Sequence, residues 1–176
     1  MNGYLTRFLD LDVRVSNRLR IAERPGPLRT IATLLAHSGD SWFWGIGLVV
    51  LAIFGSPYWR TRALVMLAAI GVGAVLVLLI KFSVRRQRPV GDWGRVYRAT
   101  DPHSFPSGHA TRAVMLAVLA IAMGPPWFAV IMLIWAPLVA LARVSMGVHY
   151  LSDVLAGGLL GLILGLVVSW LAAPLF

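Results

Sequence analysis

Residues 63–82 form an unbroken apolar run in which Lys81 is the sole charged side chain. A stretch that long and apolar is a membrane-spanning helix, because a helix satisfies every backbone polar group inside one segment. Four further stretches carry the same pattern: residues 30–54, interrupted by His37-Ser38-Gly39-Asp40, then 108–123, 127–142 and 150–173. Several fall short of the roughly 20 residues that cross hydrocarbon, so their ends are expected to extend into the flanking segments. With 59% hydrophobic and 13% charged residues, the chain lacks the polar surface that a soluble domain of this length needs.

Ahead of these stretches, residues 1–23 read as an amphipathic helix. Tyr4, Leu5, Phe8, Leu11, Val15, Leu19 and Ala22 recur at three- and four-residue intervals with charges between them. Such a helix lies in the membrane interface or packs on the bundle, and Pro25-Gly26-Pro27 ends it. The expectation is an all-α integral membrane bundle of five transmembrane helices plus this N-terminal helix. It forms one domain over 1–176, with 1–27 as interfacial helix and linker. The absence of cysteine excludes disulfides and thiolate metal sites. The first thirty residues hold six arginines but no continuous apolar core, so a cleavable signal peptide is not expected. The net charge of +9 lies in short segments flanking the apolar runs. Membrane lipid headgroups, and not nucleic acid, are therefore the expected partners.

Alternation of the spans brings Lys81, Arg88, Ser107, His109, Arg143, His149 and Asp153 to one membrane face, and leaves GSPYWRTR and GPPW on the other. Lys81 and Arg88, seven residues apart, share a helix side if the helix continues to Pro89. His149 and Asp153 have the spacing of an i, i+4 pair, in which a carboxylate holds one ring nitrogen and leaves the other free. In SFPSGHAT (104–111), Ser107 and Gly108 stand where a helix N-terminus presents backbone N–H groups to an anion. Three cations, a helix end and two histidines describe a phosphate site with a nucleophile and a proton donor.

Plainer roles exist for each residue taken singly. An isolated cation contacts headgroups, Asp153 caps a helix or pairs with Arg143, and Asp40 caps the helix beginning at Ser41. Gly157, Gly161 and Gly165, four apart, allow close helix packing and carry no chemistry. Arg85, Arg86, Arg95 and Arg98 read as solvated interface charge, with recognition of a more anionic headgroup as the alternative. It is the convergence of the others that favours chemistry.

At these residues the chain resembles the type 2 phosphatidic acid phosphatase (PAP2) superfamily, whose signatures are K-x6-R-P, P-S-G-H and S-R-x5-H-x3-D. They stand here as KFSVRRQRP (81–89), PSGH (106–109) and ARVSMGVHYLSD (142–153), and the match runs from Lys81 to Asp153, 73 of the 176 residues. Ala142 replaces the usual serine, and the N-terminal part lacks the separate, strongly apolar first helix of six-span members. The resemblance implies a membrane lipid phosphatase of bacterial type, metal-independent and without a cofactor. It implies that His149 attacks phosphorus to form a phosphohistidine, that Asp153 orients His149, and that His109 protonates the leaving oxygen and then activates water. Lys81, Arg88 and Arg143, with Ser107 and Gly108, would hold the phosphoryl oxygens. Implied substrates are undecaprenyl diphosphate, phosphatidylglycerophosphate or phosphatidic acid, among which the motifs do not choose.

The positive-inside rule puts the site on the cytoplasmic face of a bacterial inner membrane, and the assignment reverses if the N-terminal helix crosses. Two rivals remain at this point. A non-catalytic lipid-phosphate binder or flippase would release no phosphate, and a vanadium haloperoxidase-like enzyme would oxidise bromide with added vanadate. Binding alone needs no nucleophile, and the haloperoxidases are typically soluble.

Overall fold

The computed structural model describes residues 3–91, 93 and 99–176, so Arg95 and Arg98 lie outside the described residues. Among the described residues there are seven α-helices and no strand. They are α1 (Gly3–Arg18), α2 (Pro27–Ser38), α3 (Ser41–Phe54), α4 (Pro57–Val84), α5 (Gly108–Met123), α6 (Pro126–Ser145) and α7 (Leu151–Ala172), with a 3-10 turn at Ala173–Leu175. Prolines open α2, α4 and α6, where their missing N–H costs nothing and their fixed φ suits a first turn.

Residues 30–54 are two helices rather than one interrupted span. Gly39 and Asp40 break the chain, and Asp40 N donates to His37 O at 2.9 Å to close the turn. Three helical segments are long and apolar enough to cross a membrane: α4, α6, and α7 with its 3-10 extension. The remaining apolar helices, α3 and α5, have 14 and 16 residues. The N-terminal helix ends at Arg18, not near Glu23. Beyond it, Ile21 N bonds Ser145 O at 2.8 Å, and Ala22 packs with Ala32, Ala36, Ala142 and Met146. A tertiary contact with the end of α6 outweighs helical periodicity there.

Burial is reversed relative to a soluble bundle. Large side chains such as Leu64, Val75, Leu79, Ile134, Leu138, Leu159, Ile163 and Leu166 are exposed around the outside. The centre is α5, with ten of its sixteen residues buried. Its alanine-rich face lies against α6 and α7. A Cβ added at Gly157 would meet Ser107 O, one at Gly161 Thr111 O, and one at Gly165 the side chain of Val118, all inside van der Waals contact. Those glycines therefore let α7 lie directly on α5 and on the segment that leads into it. At the far end, Trp59 stacks on Trp127 and Phe128, and Arg62 donates to Met123 O, which joins the two loops expected opposite the site.

Candidate active site

A cavity of about 230 Å³ opens where α3, α4 and α5 meet the loops before α5 and α7. It is lined by Lys81, Arg88, Gly108, His109, Arg143 and His149 at one end, with Asp101 and Arg112 beside them. The other wall is apolar and runs down α4 through Val77, Ala74, Gly73 and Ile70, where Ala74 and Leu78 are exposed to the outside. Cationic and apolar walls thus share one space.

Lys81 occupies the last turn of α4 and is buried. The helix stops at Val84 because Arg85 adopts a left-handed conformation (φ 53°, ψ 33°), its N–H bonded to Lys81 O at 2.9 Å. Arg88 is therefore not on the same helix as Lys81, as the seven-residue spacing suggested. It lies in an extended segment held by a Gln87–His103 bridge and by Ser104 N donating to Arg86 O at 2.8 Å. This segment carries the guanidinium into the cavity. Arg88 Nη1 donates to Val148 O at 2.8 Å and lies 3.2 Å from His149 Nε2. A guanidinium donates only, so Nε2 is the acceptor and the ring proton sits on Nδ1. Burial first, then the charges of Arg88, Arg143 and Lys81, hold His149 well below the ordinary histidine range. An unprotonated imidazole nitrogen is thus present at neutral pH.

His149 precedes α7 rather than sharing its face. Its Nδ1 is 3.6 Å from Asp153 Oδ2, too long for a hydrogen bond. That oxygen accepts from Tyr150 N at 2.8 Å, and Oδ1 takes Arg86 Nη1 at 2.6 Å. Asp153 thus caps α7 and pairs with Arg86 rather than with Arg143. Half-buried Arg86 is a structural partner of the site, whereas Arg85 is exposed as expected of interface charge.

Ser107 is fully buried behind the cavity wall. Its hydroxyl accepts from Ala110 N at 3.4 Å as the N-cap of α5. Its N–H, expected to face an anion, donates instead to Asp153 O at 2.9 Å. Gly108, one residue on, lines the cavity at the helix end.

The sequence reading missed three groups. Asp40 occupies the N-cap position of α3 but makes no side-chain cap bond. Its Oδ1 lies 2.7 Å from His109 Nε2, and its Oδ2 lies 3.1 Å from His37 Nδ1. Asp101 bonds both Lys81 and Arg88, the latter at 2.7 Å from Nη2. Burial alone would raise its pKa, but the hydrogen bond from Lys81 and the charges of Lys81 and Arg88 outweigh that and hold it below the usual carboxylate range. Arg112, three residues after His109, donates to Gly39 O and to Ser41 Oγ (2.6 Å), tying α5 to the break between α2 and α3. A signal for Arg112 and Asp101 existed, since each is a charge next to a motif. Nothing local pairs Asp40 with a histidine 69 residues away. Among the described residues no cluster of three or more His, Cys, Asp or Glu side chains is placed to hold a metal ion.

The sequence profile of the PAP2 superfamily matches residues 62–175. The decaprenylphosphoryl-5-phosphoribose phosphatase of Mycobacterium tuberculosis (strain ATCC 25618 / H37Rv) is 37% identical over 164 residues, covering 91% of this chain and 89% of the relative. The undecaprenyl-diphosphatase of Sulfolobus acidocaldarius is 32% identical over 140 residues, covering 76% and 66%. Among solved structures, a transmembrane PAP2 type phosphatidylglycerolphosphate phosphatase from Bacillus subtilis superimposes with a TM-score of 0.77 at 26% identity, covering 100% of this chain and 89% of that one.

Proposed function

The chain belongs to the PAP2 superfamily, and from that premise we propose that it hydrolyses a lipid phosphate through a phosphohistidine on His149, without a metal. The observation that carries the reading is the two-sided cavity: cations and imidazoles beside an apolar wall along α4 that reaches the apolar outer surface at Ala74 and Leu78. A phosphate on a hydrocarbon tail matches both halves. The relatives act on a decaprenyl-linked phosphoribose and an undecaprenyl diphosphate, so a polyprenyl-linked phosphate is the first substrate class to test.

In the proposed cycle, His149 Nε2 attacks phosphorus as the bond to the leaving oxygen breaks. Lys81, Arg88 and Arg143 neutralise the non-bridging oxygens, with Gly108 at the helix end beside them. Asp153 stabilises the ring as it gains positive charge. His109, doubly protonated beside the anionic substrate with its Nε2–H on Asp40, donates the Nδ1 proton to the leaving oxygen, a step worth roughly 10² to 10⁴-fold. The same nitrogen then takes a proton from water, whose oxygen attacks phosphorus. The P–N bond breaks, and phosphate leaves.

The test is a substrate panel on purified protein in EDTA: a decaprenyl-linked phosphoribose 5-phosphate, undecaprenyl diphosphate, phosphatidylglycerophosphate and phosphatidic acid, ranked by kcat/KM. Turnover is expected to survive chelation and to vanish in a folded His149→Ala variant. Phosphate release by that variant, or a strict metal requirement, would overturn the mechanism.

A further inference from the structure

Helix α1 lies outside the segment that matches the family profile, and it faces the wrong way for ordinary core packing. Its apolar residues Tyr4, Leu5, Phe8 and Leu11 are exposed, while its buried residues are polar, Asp12 and Ser16. Burying a carboxylate is costly unless hydrogen bonds compensate. Those bonds come from the first turn of α7, the helix that carries Asp153. Leu151 N donates to Ser16 Oγ at 2.9 Å, and Ser152 N donates to Asp12 Oδ1 at 2.9 Å. Free N–H groups of a helix start are normally capped by the preceding residues of the same chain segment. Here a helix 135 or more residues away supplies the acceptors.

The second carboxylate oxygen of Asp12 extends the arrangement. It accepts from Arg86 Nη2 at 2.7 Å and from the hydroxyl of Ser152. The same guanidinium, through Nη1, holds Asp153 Oδ1 at 2.6 Å. Arg86 is thus shared between two buried carboxylates, one on α1 and one beside His149. The position of Asp153 is fixed from two sides: by the capped start of α7 and by an arginine whose own position depends on Asp12.

We propose that α1 is a clamp on the phosphoryl-transfer site, with Asp12 and Ser16 acting as positioning residues that hold Asp153, and through it His149, in register with the cations. The proposal rests on the reading of His149 as nucleophile and Asp153 as its partner. Displacement of a reacting group by about 1 Å can cost on the order of 10²-fold, so a clamp of this kind acts on kcat and leaves phosphate binding unchanged.

The experiment uses the full chain in detergent, with active sites counted by orthovanadate titration and rates expressed per titrated site. Asp12→Asn keeps the shape and removes the charge. It is expected to lower kcat about 10- to 100-fold per site, with KM within about twofold of the parent. Asp12→Glu, which restores the carboxylate, should recover part of the loss. Ser16→Ala removes one hydrogen bond, should fold normally, and should lower kcat by a smaller factor. A merely structural role would reduce the number of titrated sites and leave the rate per site at the parent value; that result overturns the clamp. His149→Ala separates the two claims. An active His149→Ala removes the underlying reading, whereas an inactive one beside fully active Asp12→Asn and Ser16→Ala removes the clamp alone.

Discussion

The ring nitrogen proposed to attack phosphorus lies against Arg88, and Asp101 bonds both Arg88 and Lys81. An ionised carboxylate between a lysine and an arginine meets the same charges that a phosphoryl group would. On the proposed mechanism, substrate is expected to exchange with Asp101, at a cost in apparent phosphate affinity. Asp101→Asn is expected to tighten inhibition by orthovanadate about tenfold, roughly 1.4 kcal/mol. A weaker inhibition constant in that variant would mean that Asp101 orders the cations instead of competing for them. Asp40 and His109 show why residue-scale chemistry was only half legible. The motifs name the groups proposed to face phosphorus, because within each motif those groups lie close together in the chain. Their carboxylate partners come from the α2–α3 break and from the loop before α5.

At the scale of elements, the stripe of Gly157, Gly161 and Gly165 was read as packing, and the structure shows what it packs against. Gly161 lies on the backbone of Thr111, two residues beyond His109. Gly158, one position along, has its nearest neighbour at 3.7 Å, an ordinary contact. Gly161→Ala should thus cost about 1–3 kcal/mol through overpacking and push α5 away from α7, lowering both the thermal midpoint in detergent and kcat. Gly158→Ala should stay within about 0.5 kcal/mol of the parent. Equal melting of the two variants would show that close approach is not what the stripe provides. Helix α5 itself was placed correctly, Gly108–Met123, because Ser107 caps its start and Gly124 follows its end. The continuation of α4 to Pro89 was not, because a left-handed Arg85 and a long-range bridge stop it five residues earlier, close to the end of the apolar run at Phe82.

For the whole molecule, the outward apolar surface fits an integral membrane protein, and the polar groups of the proposed site gather at one end. Arg7, Arg14, Arg18, Arg20, Arg24, Arg29 and Arg85 lie on or beside the elements at that end, and Arg60 and Arg62 stand at the other. By the positive-inside rule, a cytoplasmic site is the expectation to test. The lack of native cysteine makes this directly measurable. Val90→Cys reports the site end and Ser56→Cys the opposite end, both at exposed positions. In right-side-out vesicles a membrane-impermeant maleimide should label the cysteine at position 56 and spare the one at position 90. The reverse pattern would place phosphate release outside.

The sequence by itself determined the helical class, the apolar runs, and the cations and imidazoles that meet at the cavity. Hydrophobic periodicity and motif spacing are local, so they can be read without knowing what lies across the bundle. Only the tertiary structure decided the partners of those groups: Asp40 on His109, Asp101 on Lys81 and Arg88, and α1 on the start of the helix that bears Asp153. Buried charges must find counter-charges, and where the chain brings one from a distance, no spacing in the sequence records it.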